Sequence, residues 1–164
     1  MEGIESLQIR LAQQMRRAFF DKLAEDLEKE DPQAADWLIK LHNELVMRLC
    51  ALRPGRKSEI VDKMDTDIFG QKIKARAFRG EDMAGMVAFT FEIMREIVAP
   101  DMDNDLNMAE QDVLTKMSDP EPKFSVIVPS FISEVHQLLD TTINRIENMR
   151  KKGLVGQTGT PSAE

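Results

Sequence analysis

Tyrosine is absent from this chain of 164 residues, cysteine and tryptophan occur once each, and aromatics make up only 5%. A lone Cys50 leaves no internal disulfide and no multi-thiolate zinc site, and it suits a reducing compartment. No run of 18 apolar residues occurs, so no segment reads as a bilayer-spanning helix. The opening MEGIESLQIRLAQQMRR has neither the basic start nor the continuous apolar stretch of a secretory signal, and a cytoplasmic protein is expected. Positive charge is also short: the formal net charge is −7 and the pI near 5.0. Nucleic acid, whose phosphates demand a clustered positive field, is therefore not an expected partner. No GxSxG, P-loop, HExxH or GxGxxG is found. No enzyme is expected, and no catalytic, cofactor-binding or metal residue is assigned.

What is present is a hydrophobic share of 42%, ordinary for one globular domain that buries roughly 70% of its unfolded surface. Methionine occurs eleven times and is expected mainly in helix–helix contacts. The apolar residues Ile4, Leu7, Leu11, Met15, Phe19, Leu23 and Leu27 step by three or four, which predicts one buried stripe on a long helix. Asp31 and Pro32 restart the chain as N-cap and first helical residue. A second helix carries Trp37, Leu38, Leu41, Leu45, Leu49 and Leu52 and stops at Arg53–Pro54–Gly55. Ser58 opens a short helix, and a helix through Ile68, Phe69, Ile73 and Ala77 follows, with Gly80 as the C-cap and Asp82 as the next N-cap. Met83, Met86, Val87, Thr90, Phe91, Met94 and Val98 then make one broad face. A helix from Leu106 to Met117, the loop Ser118–Lys123 and a last helix opening at Pro129 and ending at Arg150–Gly153 complete the reading. FSVIV before Pro129 is β-branched enough to form a strand, though helix is preferred. The expected fold is all-α: an irregular multi-helix bundle of about seven helices in a single domain over residues 1–152. Residues 153–164, rich in glycine and without apolar period, are expected to be a disordered tail.

Several clusters invite chemistry. Asp65 and Asp67, in KMDTDIFGQKI, are best placed as caps, since a carboxylate at a helix start accepts from free N–H groups. Asp101, Asp103, Asp105 and Asp112 almost scan as a calcium loop, but the glycine position is Leu106 and the bidentate glutamate position is Asp112, so an acidic helix start is expected. His42 and Cys50 share a helix about 12 Å apart along the axis, too far for an activated thiolate. His136, between Val135 and Leu138, reads as a helix-face residue. Basic residues cluster at Arg53, Arg56 and Lys57, and again at Lys72, Lys74, Arg76 and Arg79. These seven are the candidate partner-binding residues, for an acidic protein or, less favoured, a membrane surface. A solvated face is the simpler account of them.

Read in order, RRAFFDKLAEDLEKEDPQAADWLIKLHNEL, LRPGRKSEIVDKMDTDIFGQKI, FEIMREIVAPDMDNDL and, more loosely, IVPSFISEVHQLLD resemble the T-complex protein 11 family. The resemblance covers roughly residues 18–148. Met64–Ile68 stands at the family's D-x-D step and Ala99–Asp103 at its AP-x-R-D step, with Met102 replacing the arginine. Glu81–Asp82–Met83 and LLDTTINRIENM also depart from the pattern. Family members typically run to several hundred residues, so a short member or the first part of a longer protein is expected. The resemblance implies a non-enzymatic helical protein linked to cAMP and protein kinase A signalling through protein contacts. A structural, axonemal or flagellar role in sperm is the alternative, with cytoplasmic or cilium-associated localisation. It implies no cofactor and no catalytic residue.

Overall fold

The structure, a computed structural model, describes residues 2–159. Three-to-four spacing of apolar residues becomes helix throughout: α1 (Glu2–Glu28), α2 (Pro32–Leu52), α3 (Lys57–Lys63), α4 (Thr66–Lys74), α5 (Gly80–Ile97), α6 (Asp103–Met117) and α7 (Phe124–Gly159). Six of these have nine residues or more, and α3, with seven, is barely two turns. Single 3-10 turns at Pro54–Arg56 and Pro100–Met102 join α2 to α3 and α5 to α6. No strand occurs among the described residues.

The core lies where α2, α5 and α7 meet. Leu38, Leu45 and Leu49 of α2, Met83, Phe91, Ile93 and Met94 of α5, and Phe131, Ile132, Val135 and Leu139 of α7 are all buried. Phe91 and Phe131 meet edge to face with centroids 6.0 Å apart. The face expected on α5 is buried at every position from Met83 to Val98. Against α2, α4 approaches at Gly70, where a Cβ would stand 3.1 Å from Ile39 Cδ1. Methionine is divided more evenly than expected: Met64, Met83, Met86, Met94 and Met102 are buried, whereas Met15, Met47, Met108 and Met149 are exposed.

Four expectations need correction. The last helix starts at Phe124, not at Pro129, because burial of Ile127, Val128, Phe131 and Ile132 on one face outweighs the amide that Pro129 cannot donate. The FSVIV run is therefore helical, and the Lys123 carbonyl accepts from the amides of Val126 and Ile127 at 3.0 and 2.9 Å. Gly80 opens α5 instead of closing α4, and Asp82 is not the N-cap; its carboxylate accepts from the Arg79 amide at 2.9 Å. Of the α1 stripe only Leu23 is buried, with Leu27 packed against the core; Ile4, Leu7, Leu11 and Met15 are exposed, since no other helix covers that side. Past the stop expected at Gly153, α7 continues to Gly159, and residues 160–164 lie outside the described residues.

Helix ends follow the cap chemistry. Asp31 accepts from Gln33 N at 3.0 Å and Asp65 from Ile68 N at 3.1 Å, each with extended backbone. Two C-terminal turns use a left-handed residue where glycine is the usual choice: Glu30 after α1 (φ 63°) and Arg76 after α4 (φ 58°). The Ala77 amide returns to Lys72 O at 2.8 Å around Arg76. Asp65→Ala is expected to cost about 0.5–2 kcal/mol in urea unfolding. Asp67→Ala, at a first-turn carboxylate that bonds no amide, is expected to cost less than about 0.5 kcal/mol. Arg76→Gly is expected to raise stability by about 0.5–1 kcal/mol, seen as a higher Tm, because it removes a left-handed Cβ.

Candidate protein-binding groove

The turn from α3 into α4 lifts Met64 and Asp65 over α5 and opens a groove of about 550 Å³ between α3, α4 and α5. Its floor is apolar: Met64, Phe69, Phe78, Met86 and Phe89. Its rim is mostly acidic, with Asp62, Asp65, Glu81, Asp82 and Glu92 against Lys63 and Lys72. Lys72 is already held by Asp82 at 2.6 Å, and Lys63 by Glu59 at 3.3 Å, its ammonium lying 5.2 Å from the Phe89 ring centroid. Asp62 and Glu81 are exposed and form no ion pair among the described residues. A second groove of about 630 Å³ lies on the other side of the same turn, lined by Val46, Met47, Cys50, Val61 and Met64.

Five of the seven candidate cations form ion pairs within the chain, Arg56 half-buried and the others towards the surface. Arg53 bonds Glu96 at 2.8 Å, and Arg56 reaches Glu59 at 2.6 Å, Glu92 at 2.9 Å and Glu96 as well. Lys72 holds Asp82, Lys74 holds Asp36 at 3.2 Å, and Arg76 holds Glu30 at 3.1 Å. Lys57 lines the second groove, and Arg79 precedes α5 through its backbone; neither forms an ion pair among the described residues. The structure thus brings Arg53 and Arg56 together on one glutamate but leaves the seven spread over several sites. Sequence reading looked for cations and passed over Asp62 and Glu81, whose signal was only that they lack a cation three or four residues away.

Both histidines are locked. His42 stacks on Phe69 with centroids 4.1 Å apart, and its Nδ1 shares a hydrogen bond with the Thr66 hydroxyl at 2.9 Å. Burial pushes it down to about 4, so it is neutral at pH 7. At His136 the Arg48 guanidinium can only donate, so Nδ1 accepts at 2.8 Å and Nε2 donates to Leu41 O at 3.3 Å. Burial lowers this imidazole too. The same Arg48 holds Asp140 at 2.6 Å, and Arg16 holds its other oxygen at 2.7 Å. One carboxylate thereby ties α1, α2 and α7 together. Burial raises the Cys50 thiol against a smaller opposing effect of Lys57, so it is not an activated thiolate. Asp101 is held by Arg145 at 2.6 Å, and Leu106 is buried in α6, so the acidic DMDND run is a helix start.

Glu134 has a different environment. It sits half-buried on α7, facing Asp112 and Lys116 of α6, and its Oε1 has no partner among the described residues. Arg16, Arg17 and Asp21 of α1 line the same cleft. Burial first, then the hydrogen bond and charge of Asp112, push its carboxyl up to about 7. Against burial, hydrogen bonds with Lys116 and Glu134 hold Asp112 below its ordinary value, and Lys116 lies 3.1 Å away.

The fold defines an all-helical protein whose described residues carry open grooves and histidines held neutral. The chain belongs to the T-complex protein 11 family, whose family model matches residues 1–151. That span is wider than residues 18–148, where the resemblance was read. No curated protein and no solved structure matches the chain.

Because Glu134 binds its proton more tightly folded than unfolded, it lowers stability as pH rises from about 4.5 to about 7. Glu134→Gln removes that loss. With screening at its open side, the variant is expected to be about 1–2 kcal/mol more stable than the parent at pH 8 and equal to it at pH 4, by urea unfolding. His42 acts in the opposite sense, its stabilisation being lost as pH falls from 6.5 towards about 4.

Proposed function

We propose that this chain is a non-enzymatic helical interaction module that modulates cAMP-dependent protein kinase signalling in the cytoplasm through protein contacts. The observation that carries the reading is membership of the T-complex protein 11 family over residues 1–151. Supporting it, the groove between α3, α4 and α5 offers an apolar floor with two exposed carboxylates free of ion pairs among the described residues, Asp62 and Glu81. Such a surface suits a partner segment that places an apolar side chain in the groove and a cation at its edge. The neutral, bonded histidines and the raised Cys50 thiol are in keeping with a role by contact rather than by turnover.

A pull-down from purified components tests it. The immobilised chain is expected to retain the catalytic or the regulatory subunit of the kinase. The double variant Asp62→Lys, Glu81→Lys is expected to cut that retention at least about tenfold with unchanged helical circular dichroism. Retention of neither subunit overturns the kinase reading. Co-sedimentation with axonemal microtubules in its place points to the structural role.

A further inference from the structure

We propose that the first four turns of α1 form a self-association surface, on which a second copy of this chain packs antiparallel about Leu11. The inference is independent of the kinase reading. Ile4, Leu7, Leu11 and Met15 are 59%, 51%, 49% and 71% exposed, an unusual concentration of open aliphatic surface on one helix. At 100° per residue they share one stripe, roughly 140° around the helix from the Arg16, Phe20 and Leu23 face that meets the body. The α1 helix therefore carries a second apolar stripe besides the one that meets the body, and the body reaches α1 only from Arg16 onward, since Ile9 on the body side is exposed as well.

Three features choose a second copy as the occupant. The stripe is symmetric: reversed about Leu11, Leu7 meets Met15, Leu11 meets itself, and Ile4 meets Ala18 and Phe19. A two-fold interface requires this self-complementarity, in which residue i meets j and j meets i. The stripe also lacks the acidic surplus of the rest of the chain: from Ile4 to Phe19 the charges are Glu5, Arg10, Arg16 and Arg17. Two copies can thus approach there despite a net charge of −7 each. Finally, a four-turn helix contact removes on the order of 500 Å² from each copy. About 1,000 Å² in the pair is the lower bound for a specific interface and fits a reversible dimer.

Sedimentation velocity on the full chain, from about 1 to 200 µM, reads the association. The parent is expected to shift from monomer to dimer across this range. Leu7→Lys with Leu11→Lys is expected to weaken association at least tenfold, with an unchanged Tm at about 1 µM, where the parent is monomeric and both side chains are open. Register is read in a Cys50→Ala background: Leu11→Cys is expected to oxidise to a disulfide-linked dimer, and Ile4→Cys is not, since the two Ile4 positions stand about 21 Å apart along the axis. A parent that stays monomeric throughout overturns the proposal, as does a lysine variant that dimerises like the parent. Cross-linking at Ile4 equal to that at Leu11 overturns the antiparallel register. A monomer that instead binds phosphatidylserine vesicles through Leu7 and Leu11 assigns the stripe to a lipid surface and likewise overturns the proposal.

Discussion

Helix length is the constraint on which the rest of this molecule depends. With 27 and 36 residues, α1 and α7 are about 40 and 54 Å long, against about 27 Å for the 18-residue α5 at the heart of the core. Neighbours can cover only the part of a helix they reach. Around Phe91 and Phe131 every apolar face is enclosed, whereas the first four turns of α1 lie beyond that cover. The antiparallel course of the two long helices is marked by Arg16 on Asp140 and Ser125 on Glu28. Those contacts set how far each projects.

Charge follows the same geometry. Arg16 and Arg48 converge on Asp140 where α1, α2 and α7 cross, and Arg53 and Arg56 converge on Glu96 where the turn after α2 meets α5. At each junction one carboxylate bridges two guanidiniums, one on each of its oxygens. The chain has 29 carboxylates against 22 lysines and arginines, so the surplus is acidic, and part of it stands at the rim of the α3–α5 groove. A basic patch in the sequence becomes, after folding, a set of surface ion pairs beside an acidic edge.

Much of the fold was legible in advance because its signals are local. Stripes at three-to-four spacing marked each helix, and Asp31 and Asp65 cap where their side chains can reach amides two and three residues on. Errors arose where a long-range effect overrode a local one. Pro129 reads as a helix start, but burial of Ile127 and Val128 carries the helix back to Phe124. Gly80 reads as a C-cap, but Arg76 takes the left-handed turn and leaves Gly80 to open α5. The candidate site was less legible. The destinations of Arg56, Lys72 and Lys74 are Glu92, Asp82 and Asp36, residues ten or more positions away, which spacing along one helix cannot reveal.

By itself the sequence determined that the chain is helical, where most helices begin and which residues form each apolar stripe. These follow from backbone propensity, capping and periodicity, all of which act within a few residues. Only the tertiary structure decided which stripe is enclosed and which is left open, and which charges are neutralised and which face solvent. Burial and ion pairing depend on what the rest of the chain brings alongside, and that is set by helix lengths and crossings.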